Sequence, residues 1–175
     1  MINCKELIEK AEDIWLSGET EASKKILDDV IANKKCSADH AEAYMFLGHV
    51  LEEQNKYADA LASFKKALEL NQDKENYFIQ GYSYQGKGMV LKHSQDEKDI
   101  EEAISCFNQV LAVIPENTNA LFNKSKSLLL QGKITDSLVS LQIATTMEPI
   151  YKEIARKDAD FVKLNENPSF RIIIN

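Results

Sequence analysis

The feature that most constrains this chain is a repeat. Ala60–Leu61–Ala62–Ser63–Phe64–Lys65–Lys66–Ala67, Ala103–Ile104–Ser105–Cys106–Phe107–Asn108–Gln109–Val110 and Ser137–Leu138–Val139–Ser140–Leu141–Gln142–Ile143–Ala144 share one pattern. A small residue is followed four positions later by a bulky one, and three after that by a small or branched one, which puts all three on one helix face. The second and third blocks stand 34 residues apart, as do Pro115 and Pro149 after them. Proline lacks the backbone donor a helix needs, so each is expected to mark a helix end.

Upstream of each block lies a second amphipathic stretch: Tyr44, Leu47, Gly48 and Leu51; then Tyr84, Gly88 and Leu91; then Leu121, Ser125 and Leu128. A bulky residue followed by a small one lets a neighbouring helix approach closely. Short turns, Gln54–Tyr57 and Gln131–Ile134, separate the members of each pair. With only 6 Gly and 3 Pro among 175 residues, the composition opposes a turn-rich all-β fold. Such units cannot bury their apolar faces alone and gain stability by stacking.

These residues resemble the tetratricopeptide repeat (TPR) family. The resemblance implies an all-α fold, a right-handed superhelix (solenoid) of antiparallel helix pairs with a C-terminal capping helix. Ala41–Lys74 and Thr118–Tyr151 match the family's length. The unit between them is nine residues longer, and Tyr77, Gly81 and Tyr84 repeat the Tyr84, Gly88, Leu91 motif one heptad earlier. A first helix of about Glu75–His93 and a second starting near Asp96 are therefore expected. The first unit is degenerate, with Leu7, Ala11 and Ile14 on one helix and Ala22, Ile26 and Val30 on the next. A polar loop, Asn33–Ala38, leads to Asp39 as N-cap, with Glu42 completing a capping box. The expected layout is one TPR-like domain over 1–175, with units of roughly 4–38, 41–74, 75–117 and 118–151 and a cap over 152–175.

Composition narrows the function. Lys and Arg total 21 against 28 Asp and Glu, a net charge of −7, the reverse of a nucleic-acid-binding surface. No apolar run approaches membrane-spanning length, and the charged opening MINCKELIEKAED has no secretory character. A cytoplasmic protein is expected. Cys4, Cys36 and Cys106, odd in number and widely spaced, read as free thiols. Cys36 and His40 make half a metal site, but no second pair follows, so neither metal nor cofactor is expected. Cys106, between Ala103 and Phe107, reads as a small core hydrophobe.

One segment points to a different class. Gly81–Tyr82–Ser83–Tyr84–Gln85–Gly86–Lys87–Gly88 has the Gly, four residues, Gly-Lys spacing of a phosphate loop, the basis of a nucleotide-dependent enzyme. Gly88, however, stands where the magnesium-binding hydroxyl belongs. The competing reading is a TPR helix with Gly81 and Gly88 at packing positions. Gly86 fits neither pattern and reads as drift or as an opening for a ligand backbone. No other nucleophile or metal signature occurs, so an enzyme is not expected.

What the resemblance implies about function is recognition of a partner protein or peptide in the concave groove lined by the first helix of each unit. Carried onto this sequence, the groove holds Glu9, Glu12, Trp15, Glu42, Met45, Phe46, His49, Glu52, Tyr82, Gln85, Met89, Lys92, Asn119, Phe122, Asn123, Lys126, Arg156 and Lys157. Glutamates cluster early and cations late. A ligand is thus expected to place basic residues toward the N-terminal end and acidic ones toward the C-terminal end, with Asn123 fixing its backbone. The competing account is that a docked terminal helix buries these side chains. Self-assembly through Phe170, Ile172, Ile173 and Ile174, giving a homo-oligomer, is a second expectation.

Overall fold

The computed structural model describes residues 3–71, 77–91, 93 and 96–175. Every regular element among them is helical. The chain divides into two compact units, Met1–Val90 and Leu91–Asn175.

In the first unit, α1 (Cys4–Leu16) pairs with α2 (Thr20–Ala32), and α3 (His40–Glu53) with α4 (Tyr57–Leu70). Next comes α5 (Tyr77–Leu91), 15 residues long against 14 for α3 and α4, and His93, the expected helix end, lies in a turn. Its expected start at Glu75 lies outside the described residues. In the second unit, α6 (Glu97–Val113) packs on α7 (Thr118–Leu130), which pairs with α8 (Ile134–Met147). The chain then closes with α9 (Ile150–Lys157), α10 (Ala159–Val162) and α11 (Pro168–Ile174). Helices α6 and α8 end just before Pro115 and Pro149, as expected.

The turns within pairs follow one device. Gly18, Asn55 and Gly132 each adopt positive φ, at 89°, 59° and 76°. The next residue then donates back into the preceding helix, Glu19 to Ile14 O, Lys56 to Leu51 O and Lys133 to Leu128 O. Left-handed residues terminate helices this way because glycine and asparagine reach that region at least cost. Buried serines lock two of the pairs: Ser23 Oγ donates to Ala11 O at 2.7 Å, and Ser137 Oγ to Ser125 O at 2.8 Å.

The first unit's core gathers Ile8, Leu27, Val30, Met45, Val50 and Phe64. Phe64 is its wedge. A Cβ added at Gly48 on α3 would lie 2.5 Å from the Phe64 ring, and one at Gly86 on α5 would lie 2.2 Å from it. Gly86 is therefore a packing position, which corrects its assignment to drift or ligand access. The second unit's core joins Leu121, Phe122 and Leu141 to Phe161 and Phe170 of the closing helices.

The expectations for the cysteines and for the Asn33–Asp39 stretch are corrected, and the phosphate-loop alternative falls. Cys4 and Cys36 are joined by a disulfide of 2.05 Å, and only Cys106 is a free cysteine, buried as expected. The spacing hid the pair because α2 intervenes, and the helix hairpin brings the two ends together. The stretch read as a loop is a 3₁₀ helix, Lys34–Asp39, capped by Asn33, and it runs directly into α3. Asp39, already helical, makes no side-chain capping bond there. Residues 81–88 lie within continuous helix, so their backbone donors serve that helix and no phosphate loop forms.

Candidate functional site

In the first unit the first helices of successive pairs bring three predicted residues into one row. Trp15 of α1 stacks on His49 of α3, with centroids 5.7 Å apart and planes 17° off parallel. His49 meets Tyr82 of α5 edge-on at 6.4 Å and Phe64 at 4.9 Å. The Trp15 indole also approaches Phe46 edge-on at 6.3 Å, and its Nε1 donates to Glu53 Oε2 at 2.6 Å. Tyr82 keeps 42% of its surface exposed. His49 Nδ1 is 3.8 Å from Glu52, while its buried Nε2 has no hydrogen-bond partner. An unsatisfied buried polar atom costs about 1–3 kcal/mol, so the centre of the row carries a cost.

Glu52 and Glu53 adjoin the row, and Glu12 and Glu42 lie on the same two helices. Glu12 is raised above its ordinary value by partial burial and then by the charges of Asp13 and Glu9. Glu42 is raised by burial too; Lys5 pulls it down, while Asp39, Glu12 and Glu9 push it up. By composition, α1 and α3 carry more carboxylates than cations, a balance that favours a cation. Met45 and Phe46 are buried in the core beneath this face, so they shape it and offer little surface to a ligand. Gln85 and Met89 are half-buried on α5, and Lys92 lies outside the described residues.

The second unit uses its predicted residues differently. Phe122 is buried, 5.0 Å from the Tyr151 ring and 5.5 Å from the Phe161 ring, within the core of the closing helices. Here the terminal helices account for the side chain. Asn123 is buried as well, its Nδ2 donating to Asn119 O and Oδ1 at 2.9 and 2.7 Å. Lys126 binds Asp158 at 2.6 Å and Asp160 at 3.2 Å. Burial alone would lower its pKa, but the bonds and charges of those carboxylates outweigh it and hold the ammonium above its ordinary value. Arg156 pairs with Glu153 and donates to Ile174 O of α11. Both cations fasten the cap, which removes them from the ligand-facing set. Lys157 is exposed and Asn119 half-buried.

Sequence reasoning missed Glu53, Asp158 and Asp160 and read Phe64 only as the bulky position of its repeat block. Asp158 and Asp160 carried a signal, as acidic residues of the closing segment. Cys36 is consumed by its disulfide and His40 Nε2 lies 3.2 Å from Asn33 O. No cluster of metal-binding side chains occurs among the described residues. None of the helices there is long and apolar enough to cross a membrane.

Residues 41–74 match the tetratricopeptide repeat family model. MamA from Desulfovibrio magneticus RS-1 is similar at 18% identity and TM-score 0.69, over 98% of this chain and 93% of that one. YrrB, a TPR protein with an unusual peptide-binding site, matches at 17% identity and TM-score 0.67, over 95% and 80%. A tetratricopeptide repeat protein from Parabacteroides merdae ATCC 43184 matches at 20% identity and TM-score 0.56, over 97% and 69%. Residues 41–74 thus match one tetratricopeptide repeat in sequence, and the described residues share the helical fold of these proteins.

Proposed function

We propose that this chain is a non-catalytic interaction scaffold that binds a basic segment of a partner protein on the α1–α3–α5 face. The observation that carries the reading is the Trp15–His49–Tyr82 row, one ring from each of three successive first helices. Aromatic side chains are the usual anchors of recognition sites. The excess carboxylates around Glu12 and Glu42 select the charge of the segment, and rings of this kind accept Lys and Arg by cation–π contact. YrrB supports peptide binding as a use of this fold. The Cys4–Cys36 bridge counts against the expected cytoplasm, and trapping the cysteines by alkylation in freshly lysed cells decides between that compartment and an oxidising one.

Trp15 is the only tryptophan, so its emission reports directly on the site. The test captures partners from the source lysate with the wild type and with folded Tyr82→Ala and Glu12→Lys variants. Segments of each captured protein are then titrated as synthetic peptides while Trp15 emission is followed. A basic peptide that shifts the emission, and binds each variant about tenfold more weakly, supports the reading. Equal capture by all three proteins overturns it.

A further inference from the structure

We propose that the outer face of α8, with the cleft between α8 and α11, is a docking surface for a second copy of this chain. The face is apolar in a way the other second helices are not. Helices α2, α4 and α6 carry several charged side chains along their exposed sides, whereas α8 carries only Asp136, in its first turn. While Leu138, Leu141 and Ala144 face the core, Val139, Ile143 and Met147 form a four-residue-spaced ridge on the outside, 55%, 44% and 42% exposed. Beside the ridge lies a cleft of about 420 Å³, lined by Ile134, Leu138 and Val139 of α8 and by Ile172 and Ile173 of α11. Two further clefts, of about 260 and 400 Å³, adjoin it at Gln142. Soluble proteins rarely leave such a contiguous apolar surface without a use.

Three considerations select a second copy as the occupant. A two-fold interface needs one surface that supplies both a ridge and a groove, and this face has them side by side. At a net charge of −7 two copies repel, and this nearly uncharged stretch lets them meet without opposing carboxylates. The ends of the stretch also complement each other. In an antiparallel pairing centred between Val139 and Gln142, Met147 of one copy faces Ile134 of the other and Val139 faces Gln142. The same register sets exposed Lys133 opposite exposed Glu148 at both ends.

The size of the face sets the strength. A 14-residue helix is about 21 Å long, and with a neighbour about 9 Å away the face projects roughly 400 Å². That falls below the ~800 Å² per partner of a standard interface, so the dimer is expected to be weak and concentration-dependent. The register differs from the self-assembly expected from the sequence. Phe170 and Ile173 are buried in their own core, which leaves Ile172, 74% exposed, as α11's main contribution.

Sedimentation of the full chain from about 5 μM to about 1 mM tests the proposal. The wild type should pass from monomer to dimer. Val139→Glu with Ile143→Glu, both on the surface, should leave the helical spectrum intact and weaken the dimer by about a hundredfold or more. Lys133→Glu alone and Glu148→Lys alone should each weaken it about five- to tenfold, and the two together should restore it. A wild type that stays monomeric to the highest concentration overturns the proposal and leaves the face to another partner. A dimer indifferent to the Val139 and Ile143 substitutions also overturns it. Single reversals without effect overturn the antiparallel register.

Discussion

Phe64 shows how one side chain fixes the chemistry allowed around it. Its ring lies where a Cβ on Gly48 or Gly86 would lie, so both neighbours are glycine despite a helix penalty of about 1 kcal/mol each. Gly86→Ala should destabilise the chain by roughly 1–3 kcal/mol in chemical denaturation, propensity notwithstanding. Adding Phe64→Leu should recover part of that loss, because the shorter side chain vacates the ring's far end; strictly additive effects would refute the contact. Glu42 is a second residue whose cost is visible. Its carboxyl binds a proton more tightly folded than unfolded, so its contribution is neutral below the unfolded carboxylate range and turns destabilising as pH rises through the folded pKa. Glu42→Gln should therefore raise Tm at pH 7, and the gain should vanish below about pH 4 in melts across that range. A basic peptide should bind more tightly over the same rise in pH, since it favours the ionised form.

At the scale of elements, two fastenings hold the ends of the chain. The Cys4–Cys36 bridge ties the start of α1 to the 3₁₀ helix across a sequence separation of 32. Closing a loop of that size stabilises by about 4 kcal/mol in the chain-entropy account. Thermal melts with and without a thiol reductant should show a large drop for the wild type and none for Cys4→Ser with Cys36→Ser. At the other end, Lys126 pins the turn before α10 through Asp158 and Asp160. Its raised pKa means this stabilisation is fully present below the unfolded lysine value and is lost as pH climbs through the folded one, above about pH 10.5. Lys126→Ala should cost roughly 1–2 kcal/mol at neutral pH, measured by denaturation, and leave peptide binding on the α1–α3–α5 face unchanged.

At the scale of the molecule, repeat logic and the division at Val90–Leu91 make different demands on unfolding. Neighbour-stacked repeats melt together when their interfaces are strong. The single domain expected from the sequence predicts one transition, with calorimetric and van't Hoff enthalpies equal. Two separable transitions, divided by Gly86→Ala acting on one and Lys126→Ala on the other, would assign the two units to two domains.

The helices and their pairing were legible in the residue order. A 34-residue period, small-bulky spacing and positioned prolines are local signals, and local hydrogen bonding and side-chain size enforce them whatever the surroundings. The Trp15–His49–Tyr82 row was legible for the same reason, since a repeat puts equivalent positions on equivalent faces. The fates that depend on distant neighbours were settled by packing. Cys36 met Cys4 because a hairpin returned the chain. Gly86 became a packing site because Phe64 arrived from another helix. Phe122, Lys126 and Arg156 left the candidate groove because the closing helices took them. Side-chain type and spacing name the face a residue occupies, but the segment that covers that face is set by contacts between residues far apart in the chain.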